Sequence, residues 1–149
     1  MGKRNLSIKA ELEDRAIEFW DDVDRNWGRT AHLFYEEAGV FTTTEPELRG
    51  RDAIKNFYSW REGRGDRVAR HVISNFNVNV DDENLVQSRW IMSLYAADGG
   101  PVLPSEPPIL LADVIDVSAR GTDGVWLYRS RILVPLFRGK TPTTNPPKK

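Results

Sequence analysis

The chain has 149 residues, the length of one ordinary domain, and its 40% hydrophobic content against 29% charged is that of a folded protein, not a disordered one. Its 21 Lys and Arg against 22 Asp and Glu give no basic field for nucleic acid and no acidic tail. The absence of cysteine excludes disulfides, thiolate nucleophiles and thiolate-held metals together.

His32 and His71 are the only histidines, so no metal centre is expected. The polar start Met1–Ser7 lacks the apolar run of a signal peptide. The longest apolar stretch, Ile109–Ala112, falls far short of the roughly 20 residues that span a bilayer. The expectation is a cytoplasmic protein with no membrane or nucleic-acid partner.

In chain order, Ser7 reads as the N-cap of a first helix. Ile8, Leu12, Ala16, Phe19, Trp20, Val23 and Trp27 follow at steps of three and four, forming one apolar stripe that Gly28 interrupts. A second, short helix is expected over residues 30–37, ended by Gly39, and Val40–Thr44 reads as a short β-branched strand. Gly50-Arg51-Asp52-Ala53-Ile54 opens a third helix with Ile54, Phe57, Tyr58 and Trp60, which stops at Gly63–Gly65. The period then changes from 3.6 to 2, and residues 67–80, 85–97, 109–118 and 125–135 read as four long strands. Residues 98–108, with four prolines, form an irregular loop. These elements predict an α+β domain over residues 1–137, three N-terminal helices packed on a strongly curved, mostly antiparallel sheet. Residues 138–149 are expected to be a disordered polar tail.

Three positions break the apolar pattern. Asp24 lies four residues after Trp20 on the stripe of the first helix, so it is either solvated at a fraying end or buried with a partner. His71 opens a long strand, and alternation groups it with Ile73, Asn75 and Asn77 on a face more polar than a core requires. Histidine is the side chain suited to proton transfer near neutrality, although a lone strand histidine is more often structural. Asp113 shares a face with Leu111, Ile115 and Val117, which demands either an arginine partner or a raised pKa. Arg131, grouped by alternation with Leu127, Arg129 and Leu133, is the candidate partner. Tyr35, Tyr58 and Tyr95 are possible hydroxyl donors. No glycine-rich phosphate loop or dinucleotide fingerprint is present, and no cofactor is expected.

Taken in order, Trp27, Leu33-Phe34, Gly39-Val40-Phe41, Gly50-Arg51-Asp52-Ala53-Ile54, Arg70-His71, Ser74-Asn75, Asp123-Gly124-Val125-Trp126 and Arg131 resemble the SnoaL-like branch of the nuclear transport factor 2-like superfamily. The similarity spans roughly residues 8–137. It implies a cystatin-like cone of sheet and helices around an internal pocket, and a homo-oligomer, most simply a dimer through the outer sheet face. Within the branch the chain is similar to scytalone dehydratase. By that resemblance His71 matches a catalytic histidine and Asp24 falls near an acidic residue of the first helix. A second histidine of that site would fall near Tyr95 or Ala96, where none stands.

The expected activity is a cofactor-independent lyase or isomerase, dehydratase-like, acting on a small cyclic or aromatic hydroxy-ketone. His71 and Asp24 would be catalytic, and Tyr35, Asn75, Asp113 and Arg131 would contact substrate. The alternative is a non-catalytic module, either a small-molecule binder or a structural partner resembling a dioxygenase β subunit, because this fold hosts both.

Overall fold

The first helix, α1 (Lys3–Arg25), buries the stripe read from the sequence: Ile8, Leu12, Ala16, Phe19, Trp20 and Val23 are each at most 5% exposed. The structure, a computed structural model, describes residues 2–43 and 47–141. α1 begins earlier than expected, so Ser7 is not its cap; the Ser7 hydroxyl instead donates to Glu11 one turn on. The helix ends because Trp27 and Gly28 both enter the left-handed region, at φ 59° and 68°. A Cβ at position 28 would stand 2.5 Å from the Tyr58 ring, so this turn needs glycine for space as well as for conformation.

The helix expected over residues 30–37 is only a 3-10 turn, Ala31–Phe34, and Tyr35 already belongs to strand β1 (Tyr35–Thr42). Sheet pairing overrides the local helical pattern here. β1 runs parallel to β6 (Trp126–Arg138), with Tyr35 opposite Tyr128 and Val40 opposite Ser130, and the register slips between them. Gly39 sits in that slip, where a Cβ would lie 2.9 Å from the carbonyl oxygens of Glu36 and Tyr128. It therefore marks a bulge and not a helix end. Thr44 lies outside the described residues. β2 (Glu47–Arg49) pairs antiparallel with β1, and α2 (Arg51–Glu62) follows Gly50, burying Ile54 and Tyr58. The described residues thus hold two α-helices and a 3-10 turn in place of three helices.

β3 (Arg67–Asp82), β4 (Leu85–Asp98) and β5 (Leu110–Arg120) complete a six-stranded sheet in the order β2-β1-β6-β5-β4-β3, antiparallel except between β1 and β6. The sheet is curved but open, with β2 and β3 as its edges, so the closed cone is corrected to a cupped sheet. Arg138, the first residue of the expected tail, is the last of β6, and Gly139 still donates to the Ile109 carbonyl. Residues 142–149 lie outside the description. No helix among the described residues is long and apolar enough to cross a membrane.

Further register slips interrupt the ladders, and two of them switch which residues point inward. In β3 the register slips between Ser74 and Asn77, with Asn75 in the left-handed region at φ 53°. Ala69 and His71 point inward before the slip and Phe76 after it, which leaves Asn75 and Asn77 exposed. In β6 the slip falls at Arg129, so Trp126 and Tyr128 point inward before it and Arg131 and Leu133 after it. Arg129 turns outward to pair with Glu36 and does not share the face of Arg131.

At both slips of the β5–β6 ladder the extra residue, Arg129 or Leu136, lies on β6, so β5 keeps its alternation and its buried face is Leu110, Ala112, Val114 and Asp116. The expected pairing of Asp113 with Arg131 is therefore replaced by one with Asp116. Arg131 Nε and Nη2 donate to the two Asp116 oxygens at 2.6 and 3.0 Å, and Trp90 Nε1 adds a bond of 2.9 Å. Arg131 and Asp116 are both 0% exposed. Burial opposes the Arg131 charge, but Asp116 together with Tyr128 and Tyr35 outweighs it, and the pKa stands well above the ordinary arginine value. Removing one partner would leave an uncompensated buried charge. Asp116→Ala is therefore expected to lower unfolding free energy by about 3–5 kcal/mol, read as an earlier urea midpoint at unchanged m value. A loss below about 1 kcal/mol would show that the pair is not what fixes this core.

Candidate active site

Asp24, in the last turn of α1, reaches across to the start of β3 and engages His71 twice. Asp24 Oδ1 lies 2.6 Å from His71 Nδ1, and Oδ2 accepts the His71 backbone N–H at 2.8 Å. One carboxylate therefore fixes both the strand and the ring that stands on it. Trp20, one turn before Asp24, stacks on the imidazole with centroids 4.0 Å apart and planes 17° apart. Only 8% of the His71 side chain and 4% of the Asp24 side chain is exposed.

This arrangement sets the protonation state. Against a carboxylate, the neutral imidazole keeps its proton on Nδ1, which leaves Nε2 as the basic nitrogen. Nε2 makes no hydrogen bond among the described residues. Burial pushes the His71 pKa below its ordinary value; Asp24 opposes that shift, while the cations Arg61 and Arg131 add to it. His71 is thus neutral and able to accept a proton near neutral pH.

A cavity of about 80 Å³ opens beside the ring, between α1, α2 and the concave face of the sheet. Trp20, Val23, Phe41, Phe57, Met92, Leu94, Leu110 and Leu133 form an apolar wall. His71, Tyr58, Thr43, Arg61 and Arg67 are its polar members. An apolar enclosure with a few converging polar groups is the usual form of a small-molecule site. Chemically it offers a base held in one tautomer and two cations against an apolar wall.

Residues 11–132 match the model of the SnoaL-like domain. The chain belongs to that family, within the nuclear transport factor 2-like superfamily. Several solved structures share the SnoaL-like architecture. A proposed scytalone dehydratase from Novosphingobium aromaticivorans is 19% identical with a TM-score of 0.79, over 100% of this chain and 99% of that one. ActVI-ORFA from Streptomyces coelicolor is 18% identical with a TM-score of 0.74, over 87% and 96%. A Catenulispora acidiphila protein in complex with S-DNPA is 20% identical with a TM-score of 0.69, over 87% and 94%. At these identities the likeness shows the fold alone. No curated protein matches the chain in sequence.

Of the six residues expected at the site of this SnoaL-like chain, the structure brings Asp24 and His71 together at the cavity. Tyr35 and Arg131 lie in the packed core and do not line the cavity. The Tyr35 hydroxyl is buried without a partner, and burial raises its pKa well above the ordinary tyrosine value. Asn75 and Asp113 line a different groove, on the opposite face of the sheet, with Asn77 and Arg89. The Asn75 bulge and the inward face of β5 account for both displacements. Tyr95 and Ala96, near which the resemblance would put a second histidine, line another groove, and Tyr95 is 46% exposed. Among the described residues no three His, Asp or Glu side chains gather as metal ligands.

The residues missed by sequence reasoning are Arg61 and Arg67. Both had a readable signal: Arg61 follows Phe57 by four residues and Tyr58 by three, on the inward stripe of α2, and Arg67 precedes His71 by two strand alternations.

Because the folded-state pKa of His71 is depressed, the unfolded chain takes up this proton first as pH falls. The contribution is whole above the unfolded value of about 6.5 and is lost progressively below it. An NMR titration is expected to place His71 below about 6.5 in the wild type, and at least about one unit lower again in Asp24→Asn, a coupling of about 1.4 kcal/mol. Identical midpoints in the two proteins would mean that the carboxylate holds the backbone and has no influence on the ring charge.

Proposed function

We propose that this SnoaL-like protein is a cofactor-independent lyase or isomerase, dehydratase-like, acting on a small cyclic or aromatic hydroxy-ketone. The observation that carries this reading is the buried Asp24–His71 pair at the wall of an apolar cavity. His71 Nε2 removes a proton from carbon beside the ketone, and the same nitrogen returns it to the departing hydroxyl or to another carbon. Asp24 holds the tautomer and stabilises the imidazolium that forms between these steps. The apolar wall limits water, which strengthens that charge pairing. Tyr58 supplies a hydrogen bond for an enolate oxygen. The neighbouring structure in complex with S-DNPA adds support for a small-molecule ligand in this fold.

The second reading is a non-catalytic binding module. It is favoured by a cavity whose lining holds one histidine, His71, where the dehydratase branch uses two. Kinetics separates the two readings. Ring hydroxy-ketones are screened for water loss or isomerisation by absorbance, and on an active compound His71→Ala is expected to reduce kcat about 10²–10⁴-fold with binding retained. Wild-type turnover by a His71→Ala protein that binds normally would remove His71 from the mechanism.

We also propose that two copies pair through the outer sheet face, where Ile132, Val134 and Phe137 are exposed although apolar. Sedimentation is expected to show a dimer that Val134→Glu dissociates. A wild-type monomer at micromolar concentration would overturn this pairing.

A further inference from the structure

Arg61 and Arg67 are not used by the proton chemistry, and their surroundings do not account for them. Arg61 projects from the last turn of α2 into the cavity, largely out of solvent. Its guanidinium has no hydrogen bond or ion pair among the described residues. Arg67, at the start of β3, lines the same cavity with only 9% of its side chain exposed. Nη1 of Arg67 reaches Asp98 at 3.0 Å, but Asp98 is 77% exposed, and Arg67 Nε is buried without any partner. The nearest carboxylate inside, Asp24, is taken: both of its oxygens bond His71. Two cations therefore face an apolar cavity with less anionic compensation than their burial calls for. Burial, together with the neighbouring Arg67, moves the Arg61 pKa below its ordinary value, consistent with a missing counterion.

We propose that Arg61 and Arg67 form an anion subsite of this cavity, and that the natural ligand is a small ring compound bearing a carboxylate. A planar guanidinium presents paired N–H donors that match the two oxygens of a carboxylate, and Arg67 Nε is one such donor left open. The apolar wall formed by Trp20, Phe41 and Phe57 accepts the ring. This deepens the acid/base reading by naming the substrate class: with the carboxylate at the arginines, the ring lies toward His71. The subsite itself rests only on the under-compensated arginines, so it stands or falls separately from the catalysis.

Calorimetric titration with two matched pairs of probes, benzoate against benzamide and naphthoate against naphthamide, tests it. Within a pair the shape is the same and only the charge differs. Wild-type protein is expected to prefer at least one carboxylate over its amide by about tenfold or more. Arg61→Gln and Arg67→Gln should each erase most of that preference while leaving amide binding unchanged, and Arg61→Lys should keep part of it. His71→Ala should retain the preference even where it abolishes turnover, which separates failure of this subsite from failure of the acid/base mechanism. Equal wild-type affinity for acid and amide, no carboxylate binding at millimolar concentration, or a preference that survives in both Gln variants would each overturn the proposal. The wild-type comparison decides the matter even if a Gln variant does not fold.

Discussion

A single buried cation organises this fold. Arg131 lies 4.0 Å from the Tyr128 ring, 4.6 Å from Phe19 and 5.4 Å from Trp20, with Asp116 holding its Nε and Nη2. These contacts tie β6 to β5 and to the inward face of α1. A charge in such a place is not a cheap source of stability, because desolvation offsets most of the Coulombic gain. Its effect is to restrict alternatives: a helix rotated or a strand slipped by one residue would strand the guanidinium without a partner. The contact with Trp20 carries this constraint to the site, since the same indole stacks on His71.

The cavity next to it obeys the opposite logic. Whereas the charge of Arg131 is met by a bidentate carboxylate and flanking rings, the cavity wall carries a base kept neutral and two arginines with unmet hydrogen-bonding capacity. Each unit of pKa displacement at His71 corresponds to about 1.4 kcal/mol of differential interaction. Asp24 opposes the effect of burial without reversing it, so the ring stays neutral with its proton held on Nδ1. The second oxygen of Asp24, bonded to the His71 backbone N–H, ties the end of α1 to the start of β3.

Much of this was legible from the residues. The stripe of α1, the opening of α2 at Gly50, the four long strands and the loop before β5 follow from spacing and turn chemistry. Asp24 on an apolar stripe and His71 on a strand were visible as anomalies for the same reason. What could not be read were the points where strict alternation stops. Asn75, Gly39 and Arg129 each sit at a register slip, and every face assigned across such a slip is inverted. β5 failed for another reason: it is apolar on both faces and carries a carboxylate on each, Asp113 outward and Asp116 inward, so periodicity alone had nothing with which to choose.

The slips that defeated the pattern are also what make the site possible. A regular six-stranded sheet would twist without cupping, and α1 would lie across it with little enclosed space. The bulge at Asn75 bends β3 just after His71, and the slip at Gly39 bends β1 just before Phe41, so both edges of the cavity are formed where the ladder is interrupted. Curvature and site therefore share one cause. Structures about a fifth identical to this chain share its fold, and a shared fold does not fix what the cavity wall carries. Chemistry in this fold has to be argued from the cavity wall of each chain, and in this one the wall holds a carboxylate-clamped histidine facing two under-compensated arginines.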